Sequence, residues 1–148
     1  MGLTEDALQR LQVAVTSEQR GNELAGVIGI TGGFRTDAST GATIVSQSGS
    51  QDGLGFNCVP DPSGTAGAYK IYIKCSTPIS AILDIKVSGF VPKNPGAAGD
   101  AYIADVSGYN VAEQYVTVRT VALSNQAVTP VPNWVMGFRI AVALKPQY

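Results

Sequence analysis

The side chains able to do chemistry here are scattered, and the most versatile type is missing. The 148 residues contain no histidine. That removes Ser-His-Asp and Cys-His catalysis, histidine-ligated metals and a histidine pH switch. Among the 11 acids, Asp52, Asp61, Asp84, Asp100, Asp105 and Glu113 could in principle pair as general acid and base. They are dispersed, and most fall in expected loops or at strand ends. Asp61 sits between Pro60 and Pro62, where a turn accounts for it. No Asp-x-Asp-x-Asp-Gly calcium loop occurs. Ser46, Ser48 and Ser50 flank glycine but have no base to activate them, and they read as a flexible loop. Cys58 and Cys75 each end an apolar run. They read as two buried thiols, with a disulfide as the alternative; a protein made in the cytoplasm usually keeps them reduced. Without histidine they make no zinc site. The expectation is a chain that is not an enzyme and holds no cofactor or metal.

Two other groupings need weighing. The run Gly26-Val-Ile-Gly29-Ile-Thr-Gly32-Gly33 outwardly matches part of a phosphate cradle. A dinucleotide loop must open a helix that faces the pyrophosphate, and residues 34–41 are polar and turn-like instead. A strand with close backbone approaches, ending in a turn, explains the glycines. Tyr102, Tyr109 and Tyr115 lie near Asp105 and Asn110. Aromatic and amide groups on loops can bind sugar, and they can equally be packing. Trp134 and Phe138 belong to a strongly apolar run and read as core.

The elements that would carry these residues follow from periodicity. Over 4–19, Thr4 can cap a helix, with Glu5 and Asp6 where the helix dipole favours acids. Leu8, Leu11 and Val15 form one stripe at helical spacing, though Leu11, Val13 and Val15 also alternate as a strand would. Arg20-Gly21-Asn22 ends it. So short a helix with so thin a stripe needs a partner surface. After it come strand-like runs at 24–30, 42–45, 54–58, 68–75, 81–87, 102–106, 115–122 and 134–144. In the fourth, Tyr69, Ile71, Ile73 and Cys75 share a face. In the fifth, Ala81, Leu83, Ile85 and Val87 alternate with Ile82, Asp84 and Lys86. In the last, Trp134, Met136, Phe138, Ile140, Val142 and Leu144 oppose Val135, Gly137, Arg139, Ala141 and Ala143. Residues 92–99 read as a loop. About eight strands joined by turn-rich loops predict an all-β antiparallel sandwich or jelly roll with a short N-terminal helix. The division is an arm at 1–23 and a β domain at 24–148.

Composition narrows the function. Charged residues make up 14%, against about 25% in an ordinary soluble domain. The net charge is −1, so no basic field exists to hold a nucleic-acid backbone. No apolar run approaches the roughly 20 residues of a membrane span, and the acidic start lacks the features of a signal peptide. Between 24 and 66 the only charged residues are Arg35, Asp37, Asp52 and Asp61. A surface this neutral suits packing against other subunits. Gly137, Ala141 and Ala143 would permit close approach by another sheet or another chain.

The run Gly67-Ala-Tyr-Lys-Ile-Tyr-Ile, followed by Pro78 and Ala81-Ile-Leu-Asp-Ile-Lys-Val, resembles β modules on tailed-bacteriophage surfaces. So does the ending: Tyr115-Val-Thr-Val-Arg-Thr, a Pro/Asn/Ala-rich loop, then Asn133-Trp-Val-Met-Gly-Phe-Arg-Ile-Ala-Val-Ala. The resemblance covers about residues 67–144. It implies a virion β-sandwich, usually trimeric, with an N-terminal segment that docks on the particle. Such modules serve as head decoration proteins, head fibres and tail fibres. No long shaft repeat runs through the chain, which favours a capsid decoration (cement) protein over a fibre module that binds a host glycan. The expected partners are two sister copies and the major capsid protein or another virion protein. The candidate contacts are Leu8, Leu11 and Val15 on the arm and Tyr109 on the body.

Overall fold

The computed structural model describes residues 27–51, 55–75, 77–90 and 101–146. The expected helix, with Leu8, Leu11 and Val15, and the expected loop at 92–99 lie outside the described residues. Eight strands form: β1 Val27–Thr36, β2 Ile44–Gln51, β3 Gly55–Pro60, β4 Ala68–Lys74, β5 Ile79–Phe90, β6 Tyr102–Asn110, β7 Tyr115–Ala122 and β8 Val135–Leu144. One sheet runs β2-β1-β8-β5 and the other β3-β4-β7-β6, with every neighbouring pair antiparallel. No helix occurs among the described residues. The fold is all-β, as the periodicity predicts.

Alternation decides which face goes inside. On β8, Met136, Phe138, Ile140 and Val142 are buried. Tyr69, Ile71 and Ile73 do the same on β4, and Val116 and Val118 on β7. These side chains from both sheets form one core with Ile30, Phe34 and Trp134. Two ring pairs join the sheets across it. Phe34 of β1 meets Tyr69 of β4 at 5.0 Å, and Phe56 of β3 meets Phe138 of β8 edge-on at 5.0 Å. Each such pair contributes about 0.5–1.5 kcal/mol beyond its area.

Polar side chains tie the ends. At one end the Thr36 hydroxyl, fully buried, donates to the Val131 carbonyl at 2.6 Å and accepts from the Trp134 N–H at 2.8 Å. There Gly41 has φ +74, and a Cβ on it would lie 2.3 Å from the Val131 carbonyl carbon. Only glycine fits that approach. At the other end the Ile79 N–H donates to Gln114 Oε1 at 2.9 Å, and Gln114 Nε2 donates to the Ile73 carbonyl at 3.2 Å. One side chain thus holds the β6–β7 turn against the β4–β5 connection.

Several boundaries differ from the sequence reading. The glycine run is strand, as expected, but β1 continues through Phe34 and Thr36, both buried, where a turn was expected. Ser46, Ser48 and Ser50 belong to β2 rather than to a flexible loop, because β1 supplies a hydrogen-bonding edge that polar residues accept. On β5 the ladder to β8 shifts register between Ile79 and Ala81 and again between Ile82 and Asp84. The shifts turn Leu83 out to solvent, at 53% exposed, and turn Ile82 onto the core beside Ile85 and Val87. A bulge breaks the period of two, and simple alternation cannot foresee it.

Phe138 is 4% exposed and packs edge-on to Phe56. Phe138→Ala is expected to cost about 3–5 kcal/mol of unfolding free energy. Urea titration of the variant checks this, and an unchanged midpoint would refute the face assignment.

Candidate functional site

The small face of β8 does not pack against the second sheet; it points outward. Register places small residues in a row across all four strands of its sheet: Ser48 of β2, Gly33 of β1, Gly137 of β8 and Ser88 of β5. Two residues along on one side lies the row Thr31, Arg139 and Lys86. Two residues along on the other lie Ser46, Arg35 and Val135. Missing side chains leave two hollows in this face. One, of about 240 Å³, is lined by Gly33, Arg35, Ser46, Ser48 and Val135 among others. The second, of about 330 Å³, is lined by Thr31, Lys86, Ser88, Gly137 and Arg139 among others.

The electrostatics of this face are unbalanced. Arg35 and Arg139 are exposed, and neither makes a salt bridge among the described residues. Lys86 Nζ lies 3.9 Å from Asp84 Oδ2, but those side chains are 73% and 57% exposed, so the pair contributes little. Lys86 and Arg139 stand directly opposite each other in the β5–β8 ladder. Like charges in that position repel.

On the outer face of the other sheet Lys70 and Arg119 are paired, and Lys74 makes no salt bridge among the described residues. Tyr72 and Tyr115 are cross-strand partners with ring centroids 5.6 Å apart. Lys70 Nζ lies 4.2 Å from the Tyr115 ring centroid and 3.9 Å from Asp61 Oδ1. Arg119 gives two nitrogens to Asp105 Oδ2, each at 2.8 Å.

The tyrosines that adjoin in sequence separate in space. Tyr102 turns inward with its ring centroid 6.5 Å from Trp134, and Tyr115 belongs to the outer face just described. Tyr109 is 59% exposed on edge strand β6. The acids are not brought together either. Asp61 accepts from the Ser63 N–H and hydroxyl, Asp105 serves Arg119, and Asp84 lies beside Lys86. No group of three His, Cys, Asp or Glu side chains able to hold a metal occurs among the described residues. Both cysteines are free thiols. Burial pushes Cys58 up to about 12. Burial also raises Cys75, which donates to the Thr77 carbonyl at 2.8 Å, while the hydrogen bond from Gln114 lowers it. Neither is a thiolate at neutral pH, so neither is a ready nucleophile.

Sequence reasoning missed the cationic rows. Arg139 was visible on the small face of the last run, but Arg35, Lys86, Ser48 and Ser88 join it only through strand register. The β1–β2 hairpin that sets Arg35 opposite Ser46 is fixed by Asp37. Its carboxylate accepts from the Thr40 N–H at 2.7 Å, the Thr43 N–H at 3.1 Å, and the Ser39 and Thr40 hydroxyls. Those bonds, the Thr40 and Thr43 amides foremost, hold its carboxyl well below the usual carboxylate range.

Comparison with family models, with curated proteins and with solved structures finds no match to this chain.

Two predictions follow from this geometry. Because Asp37 titrates lower in the folded state than in the unfolded one, its stabilisation is present above about pH 4 and lost as pH falls below that. The Tm of Asp37→Ala is therefore expected below wild type at pH 7, with the gap closing progressively in acid; a gap constant with pH would contradict the role of the charge. The two floor glycines should also differ. A Cβ on Gly33 would lie 2.9 Å from the Met136 carbonyl oxygen, whereas a Cβ on Gly137 meets nothing nearer than Ser88 Oγ at 3.6 Å. Gly33→Ala is expected to lower the Tm. Gly137→Ala is expected to hold it or raise stability by about 0.5–1 kcal/mol. Calorimetry of both variants decides.

Proposed function

We propose that this chain is a structural virion protein, a capsid decoration or cement protein that binds the outer surface of a tailed-phage head and stabilises it. It acts without catalysis or cofactor. Its body is read as a β-sandwich and residues 1–23 as a helical docking arm. It assembles as a homotrimer, and its partner is the major capsid protein or another virion protein. The observation that carries this reading is the outward face of the β2-β1-β8-β5 sheet. Ser48, Gly33, Gly137 and Ser88 give it a shallow floor across four strands, with Ala141 and Ala143 beyond. Small side chains let another surface approach closely and lose little conformational entropy on burial. The resemblance of residues 67–144 to phage surface modules supports it. Cement action needs only buried area that bridges capsid subunits and raises the cost of separating them.

A second reading, a fibre module binding a host surface glycan, is favoured by the Tyr72–Tyr115 pair on the other outer face. Aromatic rings there give a sugar an apolar surface to stack on. Incubation with purified, undecorated phage heads followed by electron cryomicroscopy separates the two. The first reading expects density on the outer shell. Failure to bind heads, together with binding on a glycan array, would select the second.

The assembly expectation has its own test. Sedimentation is expected to show three copies associated, and a stable monomer at micromolar concentration would refute it. A chain starting at Asn22 is expected to fold, by circular dichroism and Tm, while trimer stability or attachment to heads falls. If the shortened chain fails to fold, the arm belongs to its own core.

A further inference from the structure

We infer that the outer face of the β2-β1-β8-β5 sheet is a docking site for an extended acidic segment of a partner protein. One carboxylate of the segment sits at Arg139 and Lys86, and another at Arg35. This deepens the proposed function and rests on its reading of the chain as a docking protein.

The spacing carries the inference. Arg35 is opposite Val135, and Arg139 lies four residues further along β8. At about 3.4 Å per residue, the two arginine rows are about 14 Å apart. Midway lies the row Gly33 and Gly137. In an extended segment every second side chain points the same way. Acids at positions i and i+4 therefore match the arginine rows, and the side chain at i+2 enters the hollow above the glycines. The hydroxyl residues Thr31 and Ser88 line the hollow beside Arg139, and Ser46 and Ser48 the hollow beside Arg35. They can donate to the carboxylates. The opposed Lys86 and Arg139 gain most, because an anion between them removes their repulsion.

Other occupants fit less well. Three cations on so broad a face are too few for a phosphate backbone. A second copy presenting the same face would bring Arg35, Arg139 and Lys86 against their own kind, with Asp84, opposite Ala141 in the next row, the one acid beside them. Addition at a strand edge is also obstructed. Register shifts interrupt β5 and β6, the β1–β2 ladder shifts at Thr36, and Pro60 ends β3. The face, not the edge, is the available surface.

The test uses the full chain and a nine-residue peptide, Thr-Val-Glu-Thr-Ala-Thr-Glu-Val-Thr, titrated at low salt by amide chemical shifts. Binding is expected to move Thr31, Gly33, Ser88 and Gly137. The double variant Arg35→Ser with Arg139→Ser, both side chains exposed, is expected to keep its Tm and weaken binding about tenfold. Gly137→Val, which fills the floor and keeps the cations, is expected to weaken it as well. The same peptide with glutamine for glutamate is expected not to bind. Lys74→Ser, on the opposite sheet, is expected to change nothing. No shifts at millimolar peptide, equal binding by the double variant, or an equal loss in Lys74→Ser would each overturn the inference. So would sialyllactose binding here in place of the peptide, or a change of oligomeric state in the double variant. Phage heads separate this result from the proposed function. If wild type and double variant bind heads equally, the docking site is wrong and the function stands. If wild type binds the peptide but not heads, the site stands and the function falls.

Discussion

The structure depends on strand β8 being two-faced. It sits between β1 and β5, so it is hydrogen-bonded along both edges. Its inward residues, Met136, Phe138, Ile140 and Val142, are all 4% exposed or less. Its outward residues are Val135, Gly137, Arg139, Ala141 and Ala143. A slip of one residue would carry Arg139 into the core and Phe138 into water. Burying an unpaired guanidinium costs far more than any register change could return. The same constraint that seals the core therefore lays the small, cationic face outward. Core and surface are two consequences of one alternation.

Around that strand, polar groups do the joining where apolar area is thin. At the β2/β3 side of the two sheets, the Cys58 N–H donates to Gln47 Oε1 at 2.7 Å, and Gln47 Nε2 donates to Asn57 Oδ1 at 3.2 Å. One glutamine thus spans from sheet to sheet. Gln114 does the same at one end, between the β6–β7 turn and Ile79 of β5, and at the other end Thr36 ties β1 to the segment entering β8. Each satisfies backbone groups that the ladders leave unpaired, and an orphaned buried group costs about 1–3 kcal/mol. The Thr36 bond links residues 98 positions apart in the chain, so it forms only once β1 and β8 have come together.

Much of this was legible in the sequence. Runs of alternation in β4 and β8 announced both their strands and their inward faces, and the Val- and Thr-rich run of β7 announced a strand. Trp134, Phe138 and Ile140 were readable as core because large apolar residues every second position have one economical arrangement. What failed did so for local reasons. Ser46 and Ser48 carry no apolar alternation, yet β1 makes them strand by offering a paired edge. Leu83 reads by alternation as sharing a face with Ile85 and Val87, but register shifts in β5 turn it out to solvent. Tyr102, Tyr109 and Tyr115 looked like a cluster because they are near in sequence, but Tyr102 and Tyr109 lie towards opposite ends of β6, and Tyr115, paired with Asn110, stands on the other face of the sheet. The cationic rows were invisible for the complementary reason: Arg35, Lys86 and Arg139 are distant in sequence and meet only through register.

The two outer faces now differ in a way that bears on which of them meets a partner. On the β3-β4-β7-β6 sheet, Lys70 is already engaged by Asp61 and the Tyr115 ring, and Arg119 by Asp105. Covering those groups would desolvate charges whose partners are in place, with little new interaction to offset the loss. On the β2-β1-β8-β5 sheet, the arginines have no such partners, and the floor beneath them is glycine and serine. A complementary surface arriving there forms charge-assisted hydrogen bonds that the isolated chain lacks, and it reaches the backbone without displacing a side chain. Unmatched charge over an open floor is what a docking face needs, and matched charge is what a solvent face tolerates. The chain carries unpaired Arg35 and Arg139 on one outer face and paired Lys70 and Arg119 on the other.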